Sequence, residues 1–391
     1  MRVFIATSCG LPFPPVLGSA LGQLWLHLVN ENEKTDNEFC LTTSYNKEAV
    51  NESKKFQKTK VIFYKHNVCL KFLDYICNFI LFRGKKVNPL WKIIVIRKTR
   101  KEILNNEYDA IVFQNSGFLL SCIDDTISKK YAGKLYYHLH NDVPSNVNID
   151  KLKQCKCILI SKFLSEKVLA LSPFQQYSIL HNSIDVTLFS NRASAKDLQK
   201  LKEKLNIPLQ NKVLVFVGRI VEYKGIEKLI DAFYSIKGAY TLLIIGSSEF
   251  GLKTNTSFEK RIKQKVERDK RIVFTGFIHN SELPKYYQLG DIAVLPSLWK
   301  EPAGLTIIEA AACGIPVITT KKGGIPEYLG SEGIYVDVDD RIIDSLREAI
   351  LLVINNYDDY CKKAIRIQNR IISNYSASTY YKRFMEIVDG D

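Results

Sequence analysis

The sequence predicts two doubly wound α/β domains, and three observations carry that prediction. Short, β-branched, uninterrupted apolar runs recur along the chain, as parallel strands buried on both faces require. Helical patterns separate these runs in an alternating βα rhythm. The rhythm then restarts beyond a polar, helix-prone stretch at residues 191–211, which makes two sheets rather than one. A chain of 391 residues that is 46 % hydrophobic and 25 % charged is long enough for two cores and too apolar to be disordered.

In chain order, strands are expected at residues 3–6, 110–114, 134–138 and 157–160, with a short extended segment near 178–182. The second half carries sharper signals, with strands at 212–217, 240–245, 271–274, 292–295 and 317–319 and helices at 225–236, 258–269, 282–289 and 306–313. The domains are placed at 1–190 and 191–375, with an aromatic, amphipathic final helix at 376–391. The opening MRVFIATSCGLPFPP, with one basic residue and a brief apolar run ending in prolines, suits a first buried strand better than a signal peptide. The apolar stretch at 68–82 is interrupted by Lys71, Asp74 and Asn78 and falls short of the roughly 20 residues that span a bilayer. A cytoplasmic protein is expected.

Nine irregularly spaced cysteines form no disulfide framework and read as reduced, mostly buried thiols. Cys155 and Cys157 lack a second pair for zinc, and the six histidines show no HExxH spacing, so no metal is expected. Net charge is +14, and most of it lies between Lys54 and Lys101, where fourteen lysines and arginines stand against Asp74 alone. Phe56, Tyr64, Phe72, Tyr75, Phe79 and Trp91 interleave with these bases. Such a mixture suits an anionic membrane surface. A nucleic-acid surface or a solvated helix face would look similar, and the membrane is the expectation taken, with no nucleic-acid partner.

Chemistry concentrates at two places in the second half. Glu301-Pro-Ala-Gly-Leu-Thr-Ile-Ile-Glu309 runs from a strand end into a helix; Gly304 permits close backbone approach, and the helix-start N–H groups at Leu305 and Thr306 make an anion site. Glu309 lies one turn further on, in reach of a ribose attached to a phosphate there, while Glu301 faces the other side. The plainer reading makes Glu301 a surface residue and Glu309 part of a cap. At roughly 12 Å of helix the two glutamates are too far apart for a glycosidase pair, which needs about 5–9.5 Å. The second place, Gly218-Arg219 through Lys224-Gly225, joins a buried strand to a helix; Arg219 forks onto phosphate oxygens and Lys224 adds a point charge. In the first half, His140 at a strand's carboxyl end is the candidate site histidine. His138 is assigned to the core, one histidine on each side of the strand.

Gly218-Arg219 with Lys224-Gly225, the segment EPAGLTIIEAAACGIPVI, and Gly323-Gly324-Ile-Pro-Glu327 resemble the signature series of glycosyltransferase family 4, retaining enzymes of the GT-B fold. The resemblance covers residues 211–340. Over the first half, Pro14-Pro15-Val-Leu-Gly18-Ser19-Ala20 resembles the family's proline-then-glycine loop, His138-Leu-His140 its histidine-bearing strand end, and Ser161 and His181-Asn182-Ser183-Ile184-Asp185 two later markers. Ser19 stands where the family has its second glycine, Gly22 where it commonly has an acid, and Ser183 where a glycine follows the asparagine.

The resemblance implies two Rossmann-like domains facing a central cleft, and a metal-independent retaining hexosyltransferase with no cofactor beyond its nucleotide-sugar substrate, with uridine as the expected base. It implies that Gly218, Arg219 and Lys224 hold the diphosphate, that Glu309 binds the ribose, and that Glu301 with the backbone of Ala303, Gly304 and Leu305 contacts sugar and phosphate. Gly18 would let backbone approach the phosphates, His140 would approach the transferred sugar, and the final helix would return to the first domain. Retention is then a same-face displacement in which the donor phosphate accepts the acceptor's proton. The expected acceptor is a lipopolysaccharide, capsule or other lipid-linked surface glycan, reached at the inner face of the membrane. Asp337-Val-Asp339 reads as a strand end and turn rather than a metal-binding DxD. Alternatives are an epimerase or phosphorylase of this fold, or a noncatalytic binder with a degenerate one; an oxidoreductase is disfavoured because no GxGxxG follows a strand.

Overall fold

The structure is a computed structural model that describes residues 1–8, 10–17, 19–66, 68–80, 89–144, 147–173, 175–248 and 256–390. Gly18, Arg83, Lys85 and Lys86 lie outside the described residues. The chain divides into two compact units, residues 1–181 with 380–391, and residues 182–379.

The first unit is a seven-stranded sheet: β1 (Arg2–Ala6), β2 (Glu38–Ser44), β3 (Thr59–Tyr64), β4 (Ala110–Gln114), β5 (Leu135–Leu139), β6 (Lys156–Leu159) and β7 (Tyr177–Ile179). Their order is β3-β2-β1-β4-β5-β6-β7, and every neighbouring pair is parallel. β4 is buried at all five positions, and β1 from Val3 onward, so both faces of the sheet are covered. β2 and β3 were not expected from the sequence. Thr42 and Thr43 interrupt the apolar run of β2, and the buried strand satisfies them locally: the Thr42 Oγ1 accepts the Thr7 N–H at 3.1 Å and the Thr43 Oγ1 that of Phe13 at 2.9 Å.

The second unit repeats the winding with β8 (Lys212–Val217), β9 (Tyr240–Ile245), β10 (Ile272–Gly276), β11 (Ile292–Val294), β12 (Val317–Thr320) and β13 (Ile334–Val336). The order is β10-β9-β8-β11-β12-β13, again parallel throughout. The strand order therefore reverses between β8 and β11, the switch point outside whose carboxyl ends ligands of open α/β sheets bind. Both units are Rossmann-like, and β13 ends just before the Asp337–Asp339 turn, where the Asp339 carboxylate accepts the Arg341 N–H at 2.9 Å.

The boundary falls nine residues earlier than the expected 190/191. The Asn182 N–H donates to the Tyr328 hydroxyl at 3.1 Å and the Ile184 N–H to the Tyr375 carbonyl at 3.0 Å, which ties this stretch to the second unit. The stretch 191–211 is likewise no linker: the Gln288 side chain accepts the Ala193 N–H and donates to the Asn191 carbonyl. Its helix, Ala195–Lys204, belongs to the second unit. The chain returns to the first unit in the helix Ala377–Asp389, whose Tyr380, Phe384 and Val388 share one core with Val3, Trp25, Leu28, Phe39 and Ile158. Residues buried this fully contribute about 1.5–3 kcal/mol each for a large side chain. Tyr136 and Tyr381 add polar ties, the first donating to the Val388 carbonyl at 3.3 Å and the second to the Asn32 carbonyl oxygen of the side chain at 3.2 Å.

Five of the cysteines, at 40, 122, 155, 157 and 313, are buried free thiols, and Cys69 is exposed. Among the described residues no helix is long and apolar enough to cross a membrane, and no three His, Cys, Asp or Glu side chains converge as a metal site.

Candidate functional site

The site in the second unit is built where β8 and β11 end. β8 delivers Gly218-Arg219, a short 3₁₀ turn carries Tyr223 and Lys224, and Gly225, at φ +73°, opens the helix Ile226–Tyr234. β11 delivers Ser297, Trp299 and Glu301, after which Gly304 opens the helix Leu305–Ala312. Gly304 has φ +82° and ψ +60°, a conformation that costs a residue with a Cβ, and a Cβ there would meet the Ile307 and Ile325 side chains. As a glycine it brings no side-chain cap, so the first N–H groups of the helix, with the positive end of its dipole, are presented to whatever occupies the site.

Glu301 is 5 % exposed and is not a surface residue. Its Oε1 accepts hydrogen bonds from the Lys224 Nζ and, at 2.8 Å, from the Ser297 hydroxyl. The plainer reading of Glu301 fails because burial demands partners for a carboxylate, and Lys224 and Ser297 supply them. Its backbone is fixed as well: the Gly324 N–H donates to the Glu301 carbonyl at 2.7 Å, and Gly323, at φ +63°, passes so close that a Cβ would lie 2.1 Å from that oxygen. The Gly323-Gly324 pair thus clamps the Glu301 loop. With one ammonium N–H directed to Glu301, Lys224 has two further donors for phosphate oxygens.

Arg219 donates through Nη2 to the Tyr223 hydroxyl, and its guanidinium lies 5.5 Å from the Tyr223 ring centroid. Tyr223 in turn meets Trp299 edge to face at 5.5 Å, and its carbonyl accepts the Leu298 N–H at 2.9 Å. A tyrosine on the 3₁₀ turn therefore holds Arg219 against the loop that carries Glu301. Ser297, Tyr223 and Trp299 were not singled out from the sequence.

Glu309 sits one turn into the helix, half-buried, and its Oε2 accepts the Tyr287 hydroxyl at 3.0 Å, which also donates to the Thr306 carbonyl at 3.1 Å. It is not a capping residue, since the cap position belongs to Gly304. Burial pushes the Glu309 carboxyl up to about 7 against the opposing effect of the Tyr287 hydrogen bond. Between the ordinary carboxyl value of 4.5 and about 7 the folded chain keeps a proton that the unfolded chain has lost, so this group's contribution to stability falls as pH rises through that window and is constant above it. Glu309→Gln is accordingly expected to raise Tm relative to wild type at pH 8 and to leave it nearly unchanged at pH 4.5. Melting curves at the two pH values check this, and an equal difference at both would refute it.

In the first unit His140 is 7 % exposed, at the carboxyl end of β5. His138 does not face the opposite side of the strand. Residues two apart in a strand share a face, and the two imidazole centroids lie 4.0 Å apart, both against Trp25. His138 is fully buried, and neither ring nitrogen has a hydrogen-bond partner among the described residues; burial, with the adjacent His140, holds it well below the ordinary histidine range and therefore neutral. The end of β5 is set by Asn115, whose side-chain oxygen accepts the His140 N–H at 3.0 Å and the Asn141 N–H at 3.2 Å. Asn115 has φ +45°, a left-handed conformation that asparagine tolerates better than most residues. An asparagine directly after a buried strand was the available signal, and it was not used.

The family described as Glycosyl transferases group 1 matches residues 197–370. That stretch holds Gly218, Arg219, Lys224, Glu301, Ala303, Gly304, Leu305 and Glu309 in the geometry above. Over that stretch the chain is a group 1, family 4-like glycosyltransferase sequence. An uncharacterised glycosyltransferase of Methanocaldococcus jannaschii is 29 % identical over 211 residues, 52 % of each chain, so the match spans about half that relative's length. The lipopolysaccharide 1,2-N-acetylglucosaminetransferase of Salmonella typhimurium is 25 % identical over 77 % of this chain and 78 % of its own. The alpha-monoglucosyldiacylglycerol synthase of Acholeplasma laidlawii is 26 % identical over 58 % of this chain and 54 % of its own. Among solved structures, Anabaena HepE in complex with UDP and glucose superimposes over 100 % of both chains with a TM-score of 0.72 and 19 % identity, and the sucrose-phosphate synthase of Thermosynechococcus elongatus over 99 % and 98 % with 0.74 and 18 %. The fold of this glycosyltransferase is accordingly GT-B.

Proposed function

We propose that this glycosyltransferase moves a hexose or N-acetylhexosamine, with retention of configuration and without a metal, from a UDP-sugar to a lipopolysaccharide, capsule or other lipid-linked surface glycan. The observation that carries the donor side is the convergence, at the β8/β11 switch point, of Arg219, the Lys224–Glu301–Ser297 cluster, the open helix start at Gly304 and the carboxyl of Glu309. Breaking an anomeric bond to a diphosphate develops negative charge on the leaving oxygens. Arg219, the remaining Lys224 donors and the helix-start N–H groups of Leu305 and Thr306 are fixed positive groups for that charge, held before the reaction starts. Glu301 holds the Lys224 ammonium in place, and Glu309 offers its carboxyl to ribose hydroxyls. On this reading the donor phosphate takes the acceptor's proton, and no enzymic nucleophile is required. His140 is the candidate catalytic group of the first unit. The Salmonella and Acholeplasma relatives, named for a lipopolysaccharide and a diacylglycerol product, support a lipid-linked acceptor and a peripheral position on the inner membrane face, and the UDP bound to HepE supports the choice of base.

The test is a thermal shift of wild type and Glu309→Ala with UDP, GDP, ADP and CMP. A nucleotide that binds only the folded chain adds about 2.7 kcal/mol at 100 times its dissociation constant. UDP is expected to stabilise wild type, with the response lost in the variant; no response to any of the four would sink the proposal.

A further inference from the structure

A groove lies along the first sheet away from His140. It has a volume of about 530 Å³ and opens between the helices Val68–Ile80 and Pro89–Asn105, with the cations Lys65, Arg97 and Lys98 around an apolar floor of Leu70, Leu73 and Ile94. Lys65 and Lys98 lie over the rings of Tyr45 and Tyr64, at 5.2 and 5.5 Å. Beside the groove, Val68, Phe72 and Tyr75 are 81, 62 and 68 % exposed. Their spacing of four and three residues places them on one helix face, an apolar stripe turned to solvent.

The one acidic residue of this segment is withdrawn from the surface. Asp74 is 1 % exposed, accepts the N–H groups of Leu90 at 2.9 Å and Trp91 at 3.2 Å, and lies 3.3 Å from the His66 Nε2, itself stacked on Trp91. It joins the two helices and leaves the rim of the groove cationic. A phosphate is the complementary ligand for three such cations, and the floor and stripe ask for something that carries an alkyl chain.

Strand register fixes where this groove lies. Tyr64 pairs with Ser44, and the offsets through β1 and β4 bring Tyr64 level with Leu139, hence Lys65 level with His140. Four strand spacings separate them, about 19 Å. A phosphate on Lys65 is therefore farther from His140 than a single sugar joined directly to that phosphate would reach.

We infer that the groove between these two helices seats the phosphate headgroup of an anionic bilayer lipid, with Val68, Phe72 and Tyr75 entering the boundary between headgroups and acyl chains. This deepens the peripheral-membrane part of the proposed function and rests on none of its sugar chemistry. The lipid site places the carboxyl edge of the first sheet, and with it His140, at the membrane surface.

The test is flotation with phosphatidylcholine vesicles, with and without phosphatidylglycerol. Wild type is expected to float only with the anionic lipid. Lys65→Gln, Arg97→Gln and Lys98→Gln combined should weaken that binding roughly a hundredfold, at about fivefold per cation, with Tm unchanged. Combining Lys196→Gln, Lys200→Gln and Lys204→Gln, exposed on the helix Ala195–Lys204, removes equal charge elsewhere and should change it less than about threefold, the scale of context effects on exposed charges. Phe72→Ser with Tyr75→Ser, both at exposed positions, should also weaken binding. The inference is overturned by equal losses in the two triple variants, by no loss in the groove triple, or by displacement of wild type from vesicles with millimolar glycerol 3-phosphate, which would make a soluble phosphate the ligand. The UDP thermal shift of the groove triple reads the transferase proposal separately: vesicle binding lost with the shift retained supports the groove, and vesicle binding retained overturns it whatever the shift.

Discussion

Lys224→Ala is expected to destabilise the second unit by about 3–5 kcal/mol, the cost of leaving a buried carboxylate without its counter-ion. The Glu301 side chain is 7 % exposed and that of Lys224 18 %, so little water is available to replace the ammonium. The Ser297 hydroxyl still donates to Glu301 but cannot neutralise it. Pairing Lys224→Met with Glu301→Leu removes both charges and should recover most of the lost stability, because the desolvation of two ions disappears with their attraction. Activity should not return, since the groups that face the diphosphate have gone. Denaturant unfolding of Lys224→Met, Glu301→Leu and the double variant, followed as a double-mutant cycle, measures the coupling. Additive effects of the two changes would mean that the pair does not hold the loop, and its role in fixing the site would have to be abandoned.

Arg219→Ala is expected to act on the reaction alone. Its guanidinium donates to the Tyr223 hydroxyl in an exposed hydrogen bond and lies by that ring, so Tm should shift little on truncation. Removing one preorganised charge aimed at the developing diphosphate should lower kcat/KM by about 10²–10³-fold. Arg219→Lys should restore only part of this, because a single ammonium cannot reproduce the two-point fork on phosphate oxygens. Transfer rates with a saturating acceptor, measured beside the UDP thermal shift, separate binding from chemistry. A variant as active as wild type would remove Arg219 from the mechanism.

Apart from the three-residue β13, which was not expected, the strands of the second unit were legible as short apolar-rich runs; β8, β9 and β12 are buried at nearly every position. β2 and β3 were not, because their threonines and lysine read as polar until the neighbouring backbone that pairs with them is in place. The donor-side residues were equally legible: glycines and charged side chains at strand-to-helix turns are local features, and Gly304 and Gly323 are glycines for reasons of φ and close approach that act within a few residues. What those side chains bond to was not legible. Lys224 and Glu301 are 77 residues apart, Tyr287 and Glu309 are 22 apart, and sequence distance carries no sign of such pairs.

The sequence by itself determined the two-fold βα winding, the family and the set of charged residues offered at the turns, since periodicity, glycine placement and charge are properties of neighbouring residues. The tertiary structure alone decided that Glu301 is a buried partner of Lys224, that Glu309 is held by Tyr287 with its carboxyl pushed up to about 7, that both histidines of β5 share one face, and that the lone acid of the basic segment is withdrawn between two helices. Each of these depends on burial and on contacts between distant segments, and a carboxylate acquires its charge state and its role only when folding fixes how much water and which partners surround it.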